Sequence, residues 1–368
     1  MKIAIMGIRG IPANYGGFET FAENLAPRLV ELGHDVTVYG RSNIIDYDKE
    51  YYKGVRLKVL PTISHKYLDT VVHTFVCTMS SFFTKYDVVF ICNSANALFA
   101  MIPRLMRKPV VLNVDGLEWK RQKWNWAGKT FYKVSEFLAT FMPNAIVTDA
   151  IDVQRYYETK FKKQSTFIPY GAPEEKAATK AVLDKFGLKP NEYVLYVSRM
   201  EPENNAHRVV KAFEKVKTDK KLVMVGDAPY STQYITTLKK TTDPRIIFTG
   251  YVFGDGYKEL QSNAYFYVQA TEVGGTHPAL VEGMGYGNCI LANDVPEHHE
   301  VLGETGVYFS KTDDEDLVRK MQHLLDHADF VTERRKIILQ RVRTKYSWQR
   351  VTEQYEALFH KVSRNGVK

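Results

Sequence analysis

At 368 residues the chain is long for a single hydrophobic core, and a composition 45% hydrophobic and 25% charged excludes a disordered or fibrous protein, so two domains of α/β size are expected. A formal charge of +8 favours an anionic partner, whether nucleic acid, a membrane surface or a phosphorylated substrate. The three cysteines, Cys77, Cys92 and Cys289, are far apart among apolar neighbours, which suits reduced core thiols better than disulfides or a zinc site.

Taken in chain order, β-rich runs at residues 2–6, 36–39, 56–60, 87–91, 110–114 and 145–148 alternate with helical patterns. Their near-continuous hydrophobicity predicts strands covered on both faces, hence a parallel sheet in a doubly wound α/β domain. The apolar run 3–6 is too short for a signal core and meets Gly7, Arg9 and Gly10 at once, so a cytoplasmic chain is expected. The longest apolar stretch, 71–83, is interrupted by His73 and several Thr and Ser residues and falls short of the roughly 18 apolar residues of a membrane span. A polar break between 170 and 190 contains Gly171, Pro173 and Gly187; strand patterns then resume at 193–197, 222–225, 246–249, 265–269 and 289–292. The expected division is 1–171, 172–346 and a last segment, 347–368, whose helix packs back across the junction. Two such sheets in tandem place their carboxyl ends at a shared cleft, where nucleotide ligands sit in open α/β folds.

The first strand runs into Gly7-Ile8-Arg9-Gly10 and then Gly16-Gly17-Phe18-Glu19, after which Phe18, Ala22, Leu25 and Leu29 recur at helical spacing. Glycines at a helix start let a phosphate or sugar approach backbone N–H groups at the positive end of the helix dipole. A tight turn that needs glycine for packing is the plain alternative. The segment Thr271-Glu272-Val273-Gly274-Gly275-Thr276-His277-Pro278-Ala279-Leu280-Val281-Glu282 leaves a strand and opens a helix, with Pro278 at the first helical position and Thr276 or His277 near the N-cap. Free amides around Ala279 and Leu280 suit a pyrophosphate, and Glu282, one turn in, suits vicinal ribose hydroxyls; a solvated helix carboxylate is the alternative.

Gly16-Gly17-Phe18-Glu19, Gly33-His34-Asp35-Val36-Thr37-Val38, Arg199 and Val281-Glu282-Gly283-Met284-Gly285-Tyr286-Gly287, in this order, resemble the family 4 glycosyltransferases of GT-B fold over nearly the whole chain. Arg9-Gly10-Ile11-Pro12, the stretch 113–119, Glu201-Pro202-Glu203-Asn204-Asn205 and the stretch 272–278 are similar to a subgroup that includes bacterial β-1,4-rhamnosyltransferases of polysaccharide assembly. The resemblance implies a retaining, metal-independent transfer from a nucleotide sugar, with dTDP-L-rhamnose favoured and no further cofactor. It also implies an N-terminal acceptor domain and a C-terminal donor domain. Arg199 matches the family's phosphate-binding arginine, and its fork suits a diphosphate; an ion pair with Glu201 or Glu203 is the alternative.

Three departures from the pattern matter. The family's lysine soon after that arginine is replaced by Asn204 and Asn205, for which Arg9 is the candidate substitute. Glu272 and Glu282 stand further apart than the family's glutamate pair, and Gly274 takes the ungapped position of the first, so Glu272 contacts donor-sugar hydroxyls only if the glycine pair bulges, with His277 beside it. Where many relatives carry a histidine, this chain has Asp115, expected to orient the acceptor hydroxyl or take its proton, or else simply to form a turn before Gly116.

Glu118 and Arg121 are acceptor-side candidates in the same loop. The segment from Trp119 to Trp126, followed by Lys129 and Lys133, interleaves aromatic and basic residues and suits an anionic bilayer carrying a lipid-diphosphate-linked saccharide, which would place the protein peripherally at the inner face of the cell membrane. Single-stranded nucleic acid uses the same chemistry, although no nucleic-acid module is recognisable; aromatics packed in the core are the plain alternative. The acidic run 313–316 precedes Leu317, Met321 and Leu324 and reads as a helix N-terminus, so no metal is expected. Tyr170, Tyr251, Phe253 and Tyr257 are core residues by default and pocket residues as the alternative. A UDP-hexose transferase, a nucleotide-sugar epimerase of the same architecture and a non-catalytic basic binding protein are the competing functions.

Overall fold

The computed structural model describes residues 1–13, 16–65, 68–114, 116–120, 124–228, 231–272 and 276–365. The chain forms two compact units, one of residues 1–170 with 348–368 and one of residues 171–347. It passes between them twice, and the two crossings meet where the Ala172 N–H donates to the Tyr346 carbonyl at 2.6 Å.

The first unit is built on β1 (Lys2–Met6), β2 (Asp35–Arg41), β3 (Tyr51–Tyr52), β4 (Val55–Leu60), β5 (Val88–Cys92), β6 (Val110–Val114), β7 (Ala145–Thr148) and β8 (Thr166–Phe167). Their order across the sheet is β3-β4-β2-β1-β5-β6-β7-β8. Every pairing is parallel except the edge pair β3 and β4. Ile3 lies beside Val36 on one side and Val88 on the other, so β1 is central, and Ile3 to Met6 are wholly buried. That is the environment expected of a run without polar alternation.

The helix Gly17–Glu31 follows β1 and buries Phe21, Ala22, Leu25 and Leu29 at helical spacing; it ends at Gly33, whose φ of +85° suits a residue without Cβ. The last helix, Trp348–Asn365, buries Val351, Tyr355, Phe359 and Val362 and belongs to this same unit. Tyr355 and Phe359 reach Phe21 and Phe90 at centroid separations of 5.3 and 5.6 Å, and such aromatic pairs are worth about 0.5–1.5 kcal/mol each beyond their burial. His34 Nε2 and Glu356 Oε1, 2.9 Å apart, add a polar tie.

The second unit has β9 (Tyr193–Val197), β10 (Lys221–Val225), β11 (Ile246–Gly250), β12 (Phe266–Gln269), β13 (Ile290–Asn293) and β14 (Val307–Phe309), in the order β11-β10-β9-β12-β13-β14. All five pairings are parallel. The helix Ala206–Lys215 lays Val209, Val210 and Phe213 on this sheet, and Asp314–Asp326 lays Leu317, Met321 and Leu324 beside it. Asp313 caps the latter by accepting from the Glu315 N–H at 2.9 Å, so the acidic run is a helix start. Cys77, Cys92 and Cys289 are buried free thiols.

Both units are thus Rossmann-like α/β domains. Eleven strands lie within one residue or two of the ranges expected from the sequence. Three short ones, β3, β8 and β14, carry no readable hydrophobic run and emerge only from their neighbours' register. No helix among the described residues is long and apolar enough to cross a membrane; the apolar stretch from Val71 becomes the helix Asp69–Ser80.

Candidate functional site

In a parallel sheet the loops after the carboxyl ends of neighbouring strands converge, and ligands collect there. In the second unit β9, β12 and β13 are adjacent. Arg199 follows β9, Glu272 and the segment 276–282 follow β12, and Asn293 and His298 end and follow β13. This shared edge gathers most of the donor-side residues expected from the sequence.

Glu282 lies on the helix Pro278–Gly285, whose N-cap is His277 and whose first residue is Pro278, as the sequence predicts. Thr276 is buried, His277, Pro278 and Ala279 are half-buried, and the Leu280 N–H donates to the His277 carbonyl at 2.9 Å. Tyr257, on the helix Gly254–Asn263, donates its hydroxyl to Glu282 Oε2 at 2.6 Å; Gln261 Nε2 donates to the same phenol at 3.0 Å, and Asn288 Nδ2 holds Gln261 Oε1 at 3.1 Å. Desolvation pushes the Glu282 carboxyl above its ordinary range, and the Tyr257 hydrogen bond pulls it partly back. The carboxylate is therefore aimed by an organised polar chain.

His298 is fully buried. Its Nδ1 lies 2.8 Å from the Asn293 carbonyl, which assigns the proton to Nδ1 and leaves Nε2 as an acceptor; burial lowers its pKa to about 4, so the ring is neutral. Nε2 and the buried Asn293 Oδ1 have no hydrogen-bond partner among the described residues, and the ring lies 5.6 Å from that of His277 at the head of the Glu282 helix. Two orphaned acceptors at this edge suit hydroxyl donors. Sequence reasoning missed both residues; their only signal was position, just beyond the last long apolar run.

Arg199 is about one-third exposed and contacts Glu201 at 3.9 Å, a loose pairing that leaves its fork available. Asn204, which with Asn205 stands where the resemblance leads us to expect a lysine, donates its amide to the Arg199 carbonyl at 2.7 Å and so braces the loop. Asn205 donates to Glu272 Oε1 at 2.9 Å and to the Ala270 carbonyl at 2.9 Å. Glu272 also faces Arg208, 3.9 Å away, a buried guanidinium that is engaged by Asp314 Oδ1 at 2.5 Å and by the Ser310 and Lys311 carbonyls. Arg208 is a third missed residue; it stands on the buried face of its helix, where a hydrophobe is expected. Val273, Gly274 and Gly275 lie outside the described residues, as does any bulge there.

In the first unit, Arg9 and the Gly16–Gly17 pair follow β1. The Arg9 N–H donates to Glu19 Oε1 at 2.8 Å. Gly16 has φ +112°, and a Cβ there would stand 2.0 Å from Glu19 Oε2 and 3.2 Å from Arg9 Nη1, so Glu19 lies directly against the helix start. Glu118 accepts a 3.4 Å hydrogen bond from Trp124 Nε1. Trp119 lies under Lys133 at 4.9 Å, Trp124 packs on Tyr132, and Trp126 is exposed. Asp115 and Arg121 lie outside the described residues. Tyr170 is a core residue against Phe21, whereas Tyr251 and Phe253 are exposed and stack on each other. Among the described residues, one trio has potential metal-ligating atoms within 4.8 Å, namely His34, Glu356 and His360, at the amino end of β2 and so at the opposite edge of the sheet from Arg9.

Residues 191–327 match the family model described as glycosyl transferases group 1, and residues 1–173 match a domain of unknown function, DUF1972. No curated protein matches the chain significantly. Among solved structures, the chain is similar to HepE of Anabaena in complex with UDP and glucose, at 14% identity over 98% of this chain and 100% of that one with a TM-score of 0.79. It is also similar to sucrose-phosphate synthase of Thermosynechococcus elongatus, at 18% identity over 98% of both chains with a TM-score of 0.80. A third likeness is WaaG, a glycosyltransferase involved in lipopolysaccharide biosynthesis, at 14% identity over 98% of this chain and 99% of that one with a TM-score of 0.73. The protein has the GT-B fold of these structures, and the match to the glycosyl transferases group 1 model falls on its second unit.

Proposed function

We propose that this protein is a retaining, metal-independent glycosyltransferase whose second unit binds a nucleotide sugar and whose first unit binds a saccharide acceptor. The observation that carries this reading is the carboxylate of Glu282, held by Tyr257 one turn into a helix whose amino end lies at the sheet edge shared by Arg199 and His298. Glu282 accepts from the ribose hydroxyls, the helix amides and Arg199 meet the diphosphate, and His298 Nε2 accepts from a donor-sugar hydroxyl. Asn204 keeps Arg199 in place, and Arg9 supplies further positive charge.

The acceptor hydroxyl attacks the anomeric carbon on the face from which the diphosphate leaves. The new glycosidic C–O bond forms as the bond to the diphosphate breaks, and the hydroxyl proton passes to the departing phosphate oxygen. Asp115 orients the hydroxyl, with Glu118 and Arg121 on the acceptor side and Glu272 near the sugar. Arg199 stabilises charge that grows on the leaving group, the kind of interaction that lowers a barrier most.

dTDP-L-rhamnose is the donor favoured by the sequence subgroup, with a lipid-diphosphate-linked saccharide as acceptor. A UDP-hexose is the second reading, favoured by the UDP and glucose held by the HepE structure. A thermal-shift series with dTDP, UDP, GDP and their sugar conjugates separates them, since a ligand bound only by the folded state raises its melting temperature. Stabilisation by dTDP and dTDP-rhamnose alone supports rhamnosyl transfer, and stabilisation by UDP species alone replaces the donor. Conversion of the donor to an isomer without acceptor would identify an epimerase, and no response to any nucleotide would sink the enzymatic reading.

A further inference from the structure

The helices Asp69–Ser80, Met101–Leu105 and Trp126–Ala139 of the first unit are layered side by side through the turn Ser94–Ala100. A helix of this kind normally turns polar residues outward. Here the outward positions are apolar. The first helix and the turn after it expose Phe75, Met79, Phe82 and Phe83. The second and its approach expose Leu98, Met101 and Leu105. The third exposes Phe131, Val134 and Phe137, with Phe141 just beyond its end. Apart from the adjacent Phe82 and Phe83, each set is spaced three or four residues apart, so each is a stripe along one face and not a scatter of single residues.

Two side chains draw the ends of these stripes together. Arg104 Nη1 donates to the Met142 carbonyl at 3.1 Å and also to that of Phe141, and Lys108 Nζ donates to the Phe82 carbonyl at 3.3 Å and also to that of Ser81. Leu105, 75% exposed, therefore lies between Phe141 and the pair Phe82–Phe83, of which Phe83 is 89% exposed. A lone exposed leucine needs no explanation, but contiguous stripes on three neighbouring helices mark a contact surface.

The charges decide what covers it. Past Asp69 at the start of the first helix, the exposed charged residues of the three helices are Arg104 and Lys133; in the connecting turns Lys85 and Arg107 stand exposed, as does Asp87, whose Oδ2 accepts from the Lys2 N–H at 2.7 Å, and Glu136 is buried and bound to Tyr156. Trp126, at the head of the third helix, is 80% exposed. Large aromatic and aliphatic side chains ringed by lysine and arginine match the interface of an anionic bilayer, where rings settle at headgroup level and cations meet phosphates. A second copy of the chain fits poorly, because the same basic rim would meet itself.

We propose that this face docks the protein on a bilayer containing anionic lipid, with Phe83 and Leu105 among the residues entering the headgroup region. The inference stands on this surface alone and does not depend on the donor chemistry proposed above. The test is co-sedimentation of the full chain with vesicles of phosphatidylcholine, with and without phosphatidylglycerol, at low and high salt. The expected result is binding that requires phosphatidylglycerol, weakens with salt, drops at least about fivefold in Lys85→Glu/Arg107→Glu and is lost in Phe83→Ser/Leu105→Ser. Both variants change exposed side chains, and an unchanged circular dichroism spectrum and melting temperature confirm that they fold. Absence of binding to the mixed vesicles, or undiminished binding by both variants, overturns the proposal. So does a wild-type chain that ignores vesicles and self-associates through this face, seen as a dimer in sedimentation velocity that Phe83→Ser/Leu105→Ser abolishes.

Discussion

The Tyr257 hydroxyl donates to Glu282 Oε2 across 2.6 Å, linking two successive helices of the second unit and fixing which way the carboxylate points. Hydrogen bonds to a charged group contribute about 1.5–3 kcal/mol, so Glu282→Gln is expected to weaken nucleotide-sugar binding by about ten- to a hundredfold. The sign of the pH effect follows from the raised pKa. As pH falls through a value above the ordinary 4.5, Glu282 becomes neutral and donor affinity falls. Because the phenol lowers that pKa, Tyr257→Phe should move the acid limb of donor binding to higher pH as well as raise KM. Isothermal titration across the pH range tests this; an acid limb that stays put in Tyr257→Phe would contradict it.

The helix that carries Glu282 was legible in the sequence because proline at its first position and a following carboxylate are local signals. The long strands were legible for the same reason: a buried parallel strand announces itself as an apolar run. β3, β8 and β14 were not, because a two- or three-residue strand takes its identity from its partner, as Tyr51 does from Arg56. Arg208 and His298 were illegible for a related reason. Arg208 meets Asp314, 106 residues away in sequence, and the His298 acceptor exists only because burial and the Asn293 carbonyl fix its tautomer. The outward apolar stripes of the first unit were readable as helical periodicity, but which face they occupied depended on neighbouring helices.

Arg199 should separate chemistry from folding. Its ion pair with Glu201 is long and partly exposed, and such pairs contribute roughly 0–1 kcal/mol to stability. A donor aimed at leaving-group charge is worth more, with removal costing about a hundred- to a thousandfold in kcat. Arg199→Ala is therefore expected to lose turnover with a melting temperature close to wild type. Steady-state kinetics beside a thermal melt checks both, and wild-type kcat would remove Arg199 from the reaction.

Arg208 and Glu272 should behave in the opposite way from each other. Arg208 is 9% exposed and makes two carbonyl contacts besides its carboxylate partners, and leaving a buried acceptor without its donor costs about 1–3 kcal/mol. Arg208→Met is expected to melt well below wild type. Glu272→Gln keeps a group able to accept from Asn205 and should fold normally while losing activity. If Glu272→Gln turns over at the wild-type rate, Glu272 is a brace for Asn205 and has no part at the sugar.

Two buried histidines set the acid limit of stability, one in each unit. His73 faces the Gly40 carbonyl at 3.0 Å and His298 that of Asn293, and burial lowers both from 6.5 to about 4. Between those values the unfolded chain binds protons that the folded one refuses, so stability is full above pH 6.5 and is lost as pH falls toward 4. Each unit of difference corresponds to about 1.4 kcal/mol, and each ring can therefore remove up to roughly 3 kcal/mol. Glu282 works in the other direction, since its protonation favours the folded state, and offsets part of the loss. Urea melts at several pH values should show this slope, and His73→Gln should flatten it in the first unit; an equal slope in that variant would rule His73 out as its source.

Gly226 links the packing of the second sheet to Arg199. It follows β10 with φ +126°, and its N–H donates to the Gly250 carbonyl at 2.9 Å. A Cβ at Gly226 would stand 1.9 Å from the carbonyl oxygen of Ser198, the residue before Arg199, so the clash is with backbone that must move. Overpacking costs about 1–3 kcal/mol and a strained backbone conformation about as much again, and in a domain of this size each kcal/mol lowers the melting temperature by roughly 2–4 °C. Gly226→Ala is thus expected to melt about 5–15 °C low and to raise KM for the donor by displacing Arg199. Gly250→Ala is the control: it has φ +70° but nothing within 4 Å of its added methyl, so it carries the conformational cost without the collision. If the two variants melt together and share one KM, the contact between Gly226 and Ser198 plays no part in placing Arg199, and the arginine must be held by Asn204 alone.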